Sequence, residues 1–263
     1  MRRLHLKSLV RDGGILVNIH SLIQLLVVLE ECRTAEAVVD ELNHIFTSYG
    51  FEYYGLLRYP KHNEELAGSV LVSHWPEGWS QVYVAKKYML NDPSMRYLAH
   101  AQRPFRWRDS LLALRKDPHS RRMEQMMAAA AGYGLRDGYT FPIHGRGGIL
   151  GMMGMGGKQI ELAPVEISLF DAIARKAFWR LVELRGDETA VVEDLSGADT
   201  RLTRREMEIL QYLAEGMTSV EIGKQLQISN HTVDWYMNGL QDKLKARNRQ
   251  HAVAVAFRHG LIS

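Results

Sequence analysis

Four side chains in the first half of the chain combine apolar surface with single polar atoms. Trp79 and Tyr83 are four residues apart, Asp92 follows Tyr83 by nine residues, and Trp107 lies fourteen residues beyond Pro93. Trp and Tyr each provide a large apolar face and one polar atom. A carboxylate beside them is costly to bury unless it is hydrogen-bonded, and a ligand N–H would satisfy it. This chemistry favours binding of an uncharged, partly apolar molecule.

Each of these residues also has an ordinary structural explanation. A single Trp or Tyr is most often part of a hydrophobic core. The pair Asp92-Pro93 alone would cap a turn or a helix, so Asp92 is a candidate ligand contact only together with the other three residues. Trp75 fits a pocket wall and a structural position equally well.

Motifs for catalysis and metal binding are absent from the sequence. There is no G-x-S-x-G elbow and no H-x-x-x-H or H-E-x-x-H pair. The glycine-rich stretch 145–158 lacks the phosphate-loop spacing and predicts a hairpin. The single cysteine, Cys32, excludes a disulfide framework and predicts core packing. We therefore expect no enzyme, no metal and no cofactor.

The charge distribution divides the chain. The chain has 33 Lys and Arg against 30 Asp and Glu, and residues 201–263 hold nine of the former and six of the latter, so the excess lies in the last quarter. Residues 186–200 contain five acidic and no basic side chains. We predict a sensing domain over 1–185, a linker over 186–200 and a basic domain over 201–263.

Periodicity gives the fold class. The sensing domain mixes helical patterns (around 22–29, 36–48, 121–131 and 166–184) with strand patterns (51–59, 68–73 and a hairpin of 138–144 with 149–155). This predicts an α+β fold with an antiparallel sheet. No run of 18 apolar residues is present, and the start lacks a cleavage site. We therefore expect no membrane association and a cytoplasmic location.

The basic domain carries the clearest pattern. Thr203–Glu206 and Thr218–Glu221 are capping boxes, Ser229 can cap a third helix, and a fourth helix spans about 249–259. Two short helices joined by a tight turn within a four-helix unit predict an all-α helix-turn-helix domain.

At these residues the sequence resembles the LuxR family of quorum-sensing transcription regulators. The family's DNA-binding domain is matched nearly throughout by LTRREMEILQYLAEGMTSVEIGKQLQISNHTVDWYMNGLQDKLKARNRQHAVAVAFRHGLI, with Glu206, Leu210 and Gly216 on its most characteristic positions. Response regulators share this domain, so the match implies DNA binding but not the nature of the input.

The spaced aromatic and acidic residues resemble the family's acyl-homoserine-lactone pocket, and Gly138 fits another of its anchors. The resemblance implies that Trp79 donates its indole N–H to the lactone carbonyl and that Asp92 accepts the amide N–H. It further implies that Tyr83 reaches the acyl carbonyl and that Trp107 packs against the lactone ring. The implied fold is an α-β-α sandwich joined to a four-helix DNA-binding domain.

Two positions depart from the family pattern. Trp75 stands where many members have Tyr, and Gly154 stands where Ser or Thr often contacts the acyl carbonyl. Ser94, two residues after Asp92, is a candidate to compensate. The predicted ligand-binding set is Trp79, Tyr83, Asp92, Trp107, Trp75 and Ser94.

The predicted third helix of the basic domain is the candidate for reading DNA. Its apolar positions indicate core packing, and we place Asn238 and Thr232 ahead of the acidic Asp234 as base contacts. Basic side chains at its end favour phosphate contact. The predicted DNA-binding set is Thr218, Asn230, Thr232, Tyr236, Asn238, Lys243 and Arg247.

The leading hypothesis is a lactone-responsive regulator that acts as a homodimer on inverted-repeat sites in double-stranded DNA. The long helix 166–184 and the fourth helix of the basic domain are the expected dimer surfaces. The alternative is a regulator of the same family without a cognate synthase, which answers a non-cognate or non-lactone molecule. A phosphorylation-driven response regulator and a hydrolase with an appended DNA-binding domain are less favoured, because the acidic pair of the former and the nucleophile elbow of the latter are absent.

Overall fold

The computed structural model describes residues 19–59, 66–145, 148–186 and 202–262. Among the described residues, 19–143 and Ile149–Arg185 form one compact unit, and the residues from Gly186 onward belong to another. Each unit is described by itself. The predicted linker lies outside the described residues apart from Gly186. No helix in the described ranges is long and apolar enough to cross a membrane.

The first unit is built on a five-stranded sheet. The strand order is β2-β1-β5-β4-β3, and β1 pairs antiparallel with both β2 and β5, as β3 does with β4. The strands are β1 Tyr53–Arg58, β2 Val70–His74, β3 Phe105–Arg106, β4 Asp137–Gly145 and β5 Gly148–Gly157. The helices are α1 Ile19–Glu31, α2 Ala35–Ser48, α3 Trp79–Ala85, α4 Pro93–Leu98, α5 Trp107–Ala113, α6 Ser120–Gly132 and α7 Pro164–Leu184.

One face of the sheet packs against α1, α2 and α7. Helix α2 begins at the cap Thr34, whose hydroxyl accepts a hydrogen bond from the N–H of Ala37. Its Phe46 ring contacts Tyr54 of β1, with centroids 4.6 Å apart, and Phe170 of α7. Phe46 and Phe170 are at most 1% exposed. Burying a side chain of this size contributes about 1.5–3 kcal/mol, so this cluster anchors the helical layer to the sheet.

The opposite face of the sheet carries the short helices α3, α4 and α5 and the 13-residue helix α6. Alternation along β1 places Tyr54 and Leu56 towards the long helices and Gly55 and Leu57 towards the short ones. The sheet therefore lies between two helical layers, which confirms the predicted α-β-α sandwich. Periodicity did not predict α3, α4, α5 or β3, because segments of two to seven residues are too short to show a repeat.

The second unit contains four helices. They are α8 Arg204–Ala214, α9 Ser219–Leu226, α10 Asn230–Lys243 and α11 Arg249–Arg258. Thr203 and Thr218 cap α8 and α9 in the predicted capping boxes, and Ser229 caps α10. The turn between α9 and α10 passes through Gln227 with φ of 56°. The core is formed by Ile209, Leu210, Ile222, Val233, Met237, Leu240, Leu244, Ala252, Val255 and Ala256, and the predicted helix-turn-helix is confirmed.

Candidate ligand pocket and DNA-binding surface

A cavity of about 380 Å³ lies between the sheet and the short helices. Its size falls in the range of about 300–1,000 Å³ typical of small-molecule sites. The lining is mostly apolar, with a few convergent polar atoms. The structure brings together all six side chains predicted for the ligand, since the cavity is lined by Trp75, Trp79, Tyr83, Asp92, Ser94 and Trp107.

Both oxygens of the Asp92 carboxylate accept hydrogen bonds. Its Oδ1 accepts hydrogen bonds from the N–H groups of Ser94 (2.8 Å) and Met95 (3.4 Å), which caps α4. Its Oδ2 accepts the hydroxyl hydrogen of Tyr83 at 2.9 Å. Asp92 can therefore cap α4 and also line the pocket, because the capping hydrogen bonds fix its carboxylate at the cavity wall.

The burial of Asp92 and Tyr83 shifts the pKa values of both groups. Desolvation raises the pKa of Asp92, and hydrogen bonds from Tyr83, Ser94 and Met95 offset that effect only in part. Desolvation also raises the pKa of Tyr83 well above its ordinary value, and the nearby Asp92 charge acts in the same direction. Tyr83 is therefore a neutral hydrogen-bond donor. Asp92 is a desolvated acceptor that an additional N–H would stabilise.

Trp79 begins α3 and is the centre of an aromatic cluster. Its indole is 5% exposed. The rings of Tyr83, Tyr88 and Tyr133 surround it, with centroids 5.3–5.8 Å away. Such packing fixes the direction in which the single indole N–H points.

Trp107 is held by one hydrogen bond and by two glycines. Its Nε1 donates to Oγ1 of Thr140 at 3.1 Å. A Cβ atom on Gly138 or Gly156 would lie 2.8 Å or 2.5 Å from the indole ring, so only glycine lets the ring lie flat on the strands. This explains the glycine that the sequence places at 138.

Ser94 supports Asp92 directly. Its backbone N–H and its hydroxyl both bond to that carboxylate, and the residue is 7% exposed. Many family members carry a hydroxyl group at position 75 or 154, and this chain has none there. That the Ser94 hydroxyl compensates for them stays a prediction.

Sequence reasoning missed part of the pocket lining. Met126 and Met127 of α6, Met152 of β5 and Thr140 of β4 line the cavity. Met126 and Met127 fall within the predicted helical pattern 121–131, and no local signal distinguishes a pocket methionine from a core one. Thr140 had no signal, because its role depends on Trp107, 33 residues away in sequence.

Helix α10 presents the candidate DNA-binding surface. Val233, Met237 and Leu240 face the core. Among the predicted contacts, four are exposed: Thr218, Asn230, Asn238 and Arg247. Thr232 is half-buried beside its cap Ser229, and Tyr236 packs partly against the core.

Lys243 is engaged within the domain. Its ammonium group donates to Oε2 of Glu206 at 2.8 Å, an ion pair in which the Glu206 side chain is 9% exposed. Glu206 also accepts hydrogen bonds from the N–H and hydroxyl of Thr203. Burial raises the pKa of Glu206, but the hydrogen bonds from Lys243 and Thr203 outweigh it, so the pKa is lowered overall. The first role of Lys243 is thus to compensate a buried carboxylate.

We expect Glu206→Gln to destabilise the DNA-binding domain by about 1.5–3 kcal/mol, since hydrogen bonds to charged groups contribute that much. The lowered pKa stabilises the fold above the pKa of the unfolded chain, near 4.3, and this stability is lost as pH falls through the lower folded value. Denaturant unfolding as a function of pH measures both effects.

Glu221→Gln is the matched control. Glu221 makes the same contacts with Thr218 in an exposed capping box, where Lys224 acts through its charge and not through a hydrogen bond, so we expect a smaller loss. Equal losses for the two variants would contradict a special role for the Glu206–Lys243 pair.

Trp235 is the residue that sequence reasoning missed on α10. It is 70% exposed and shares the face opposite the core with His231, Asn238 and Asp242. Asp234, in contrast, accepts a hydrogen bond from the Ser219 hydroxyl at 2.6 Å. The outward spacing of Trp235 relative to Val233 and Met237 was the available signal.

Comparisons with known proteins agree with this architecture. Residues 34–181 match the family model "Autoinducer binding domain", and residues 200–256 match "Bacterial regulatory proteins, luxR family". The HTH-type quorum sensing-dependent transcriptional regulator RpaR of Rhodopseudomonas palustris is 33% identical over 228 residues, which cover 87% of this chain and 89% of RpaR. The transcriptional activator protein BjaR1 of Bradyrhizobium diazoefficiens is 29% identical over 231 residues, which cover 88% and 91%.

A solved structure of SdiA from Escherichia coli superposes with a TM-score of 0.56 at 25% identity, and the alignment covers 92% of this chain and 98% of SdiA. These relatives are regulators that carry a DNA-binding domain, not enzymes. The two domain matches, in chain order and over most of the described residues, lead to one conclusion: this chain belongs to the LuxR family of autoinducer-binding, DNA-binding transcription regulators.

Proposed function

We propose that this protein binds an N-acyl-homoserine lactone and, in response, controls promoters with inverted-repeat sites. The observation that carries the proposal is the pocket, in which the Asp92 carboxylate, the Tyr83 hydroxyl and the Trp79 indole converge on one apolar cavity. An acyl-homoserine lactone offers an amide N–H, two carbonyls and an apolar chain, which complement those groups.

The proposed binding mode adds one hydrogen bond to an existing network. The ligand amide N–H donates to Asp92, whose desolvated carboxylate gains a further donor beside Tyr83, the α4 backbone and the Ser94 hydroxyl. The Trp79 indole donates to the lactone carbonyl, and the Trp107 ring packs against the lactone ring. Water is excluded by the aromatic and methionine lining, which strengthens each of these hydrogen bonds.

Ligand binding couples to folding. A ligand that binds only the folded domain stabilises it by about 2.7 kcal/mol at a hundredfold excess over its dissociation constant. The test is a thermal-shift measurement on the full chain with a panel of lactones that differ in acyl length. A raised melting temperature with at least one lactone supports the proposal, and no shift with any of them overturns it.

Trp75 and Gly154 favour a second candidate ligand class. Without a hydroxyl at either position, the pocket offers fewer donors for an acyl carbonyl. A non-lactone molecule with an apolar body and one amide would satisfy Asp92 equally well. The same thermal-shift assay with acyl amides that lack the lactone ring separates the two, because only the first proposal requires the ring.

The DNA-binding mode is proposed on the helix-turn-helix. A homodimer would place two α10 helices in major grooves about one helical turn apart, near 34 Å. The small basic surplus of residues 201–263 favours dimerisation, because a single domain neutralises few phosphates. A regulator that binds promoter DNA acts in the compartment that contains the DNA, so a cytoplasmic location is part of the proposal. Sedimentation with and without lactone and DNA measures the assembly.

We expect Trp235→Ala to weaken binding to DNA sites selected from a random pool by about 1–3 kcal/mol, the usual loss for one base contact. The exposed indole on the outer face of α10 can contact a thymine methyl group in the major groove. Mobility-shift titration at fixed salt measures the change.

Leu112→Ala is the control for Trp235→Ala. Leu112 is 62% exposed on α5 of the sensing domain, and its removal should leave DNA affinity unchanged. Unchanged affinity in Trp235→Ala would exclude this contact.

A further inference from the structure

The Trp75 indole rests on a pair of glycines at the floor of the pocket. Gly55 of β1 is paired across the ladder with Gly154 of β5. A Cβ atom on Gly55 would lie only 2.6 Å from Cζ2 of the Trp75 ring, and one on Gly154 would lie 3.6 Å from Cη2. Neither strand has a side chain at this point, so the indole occupies the space that side chains would otherwise fill.

The indole therefore forms this part of the cavity wall together with Gly154 of β5. Trp75 and Gly154 line the cavity, and Leu57 and Val70 of the neighbouring strands are apolar lining residues as well. Gly55 lies beneath the ring. A smaller residue at 75 would uncover Gly55 and deepen a cavity that is now about 380 Å³, near the lower end for small-molecule sites.

We propose that Trp75, seated on the Gly55–Gly154 pair, sets the size of the acyl group that this pocket admits, and that the signal carries a short acyl chain. The inference rests on the proposed function. In the proposed binding mode, positions 75 and 154 flank the acyl carbonyl, so the ring limits the space for the carbons that follow it. A longer chain has to displace a packed indole before it can bury its methylene groups.

The test measures dissociation constants of the full chain for butanoyl-, hexanoyl-, octanoyl- and dodecanoyl-homoserine lactone. Wild type should bind the two shorter lactones best. In Trp75→Ala the preference should move towards the longer ones, with the ratio of long- to short-chain affinity rising at least about tenfold, as expected for two more buried methylene groups. Trp75→Phe should fall between the two.

A second pair of variants tests the position of the Trp75 indole without removing the ring. Gly55 does not line the cavity. In Gly55→Ala the new methyl group pushes the Trp75 indole into the pocket, so lactone affinity should fall most for the lactones with longer acyl chains. Gly132→Ala, at the end of α6, is the control, because a Cβ atom there meets no other atom within 4 Å and Gly132 does not line the cavity. This pair tests the inference even if Trp75→Ala does not fold.

The outcomes separate the two proposals. If lactones bind but Trp75→Ala keeps the wild-type order, or if Gly55→Ala binds every lactone as Gly132→Ala does, Trp75 does not set the acyl size and the lactone proposal still stands. Tightest binding of the dodecanoyl lactone by wild type overturns the short-chain assignment. If no lactone binds wild type or any variant, the proposed function fails and the inference fails with it.

Discussion

Asp92→Asn is expected to weaken lactone binding by about 10- to 100-fold while leaving the melting temperature of the ligand-free protein unchanged or higher. The ligand loses a charged hydrogen-bond acceptor, worth about 1.5–3 kcal/mol. Asparagine caps a helix as well as aspartate does, so the α4 cap through Ser94 and Met95 is preserved. The free protein also loses a carboxylate whose raised pKa shows that burial disfavours its charged form.

Asp92→Asn is informative because lactone affinity should fall while the stability of the ligand-free protein should not. Isothermal titration measures the lactone affinity, and thermal unfolding without ligand measures the stability of the fold. Asp92→Ala is the comparison variant, because it removes the cap as well and should lower both quantities. Unchanged lactone affinity in Asp92→Asn would exclude the proposed contact with the amide, whereas a large loss of stability in the free protein would show that the residue is mainly structural.

Arg106→Met is expected to give the largest loss of stability in the sensing domain, about 3–5 kcal/mol. Arg106 donates to Asp137 at 2.5 Å and to Glu161 at 2.6 Å, and the Arg106 and Asp137 side chains are at most 10% exposed. Removal of the guanidinium leaves the Asp137 carboxylate buried without its counter-charge. The melting temperature should fall by roughly 6–20 °C, and lactone affinity should fall too, because Trp107 is the next residue.

Arg108→Met is the matched control for this prediction. Arg108 is 53% exposed and lies 3.5 Å from the same Glu161, a surface pair that contributes little. The double variant Arg106→Met with Asp137→Asn should recover part of the loss, because it removes the uncompensated charge. If Arg106→Met and Arg108→Met have similar melting temperatures, the buried pair does not stabilise the domain.

The fold was largely predictable because its long elements have clear periodicity. The apolar repeat of 166–184 gave α7, and the glycine-rich stretch after residue 144 gave the β4–β5 hairpin. The capping boxes at Thr203 and Thr218 gave the starts of α8 and α9. The short helices around the pocket could not be predicted in this way, since tertiary packing and not local propensity holds a helix of one or two turns.

The candidate site was predictable in composition but not in its internal contacts. The spacing of Trp79, Tyr83, Asp92 and Trp107, together with the family resemblance, selected four residues that the fold brings to one cavity. The Tyr83–Asp92 hydrogen bond and the ion pair of Lys243 with Glu206 join residues from different elements. A linear pattern gives no information on such pairs. The exposure of Trp235, in contrast, follows from its helical offset from the buried Val233 and Met237.

The sequence by itself determined that this chain is a sensing domain followed by a helix-turn-helix, because motif spacing and amphipathic periodicity are local properties. It also determined which residue types are available to a ligand. Only the tertiary structure decided what those residues do. It showed that Asp92 caps α4 and accepts the Tyr83 hydroxyl at the cavity wall, and that Trp75 lies over Gly55 and Gly154. The reason is physical: the size and polarity of a cavity depend on which side chains meet across strands and helices that are distant in sequence.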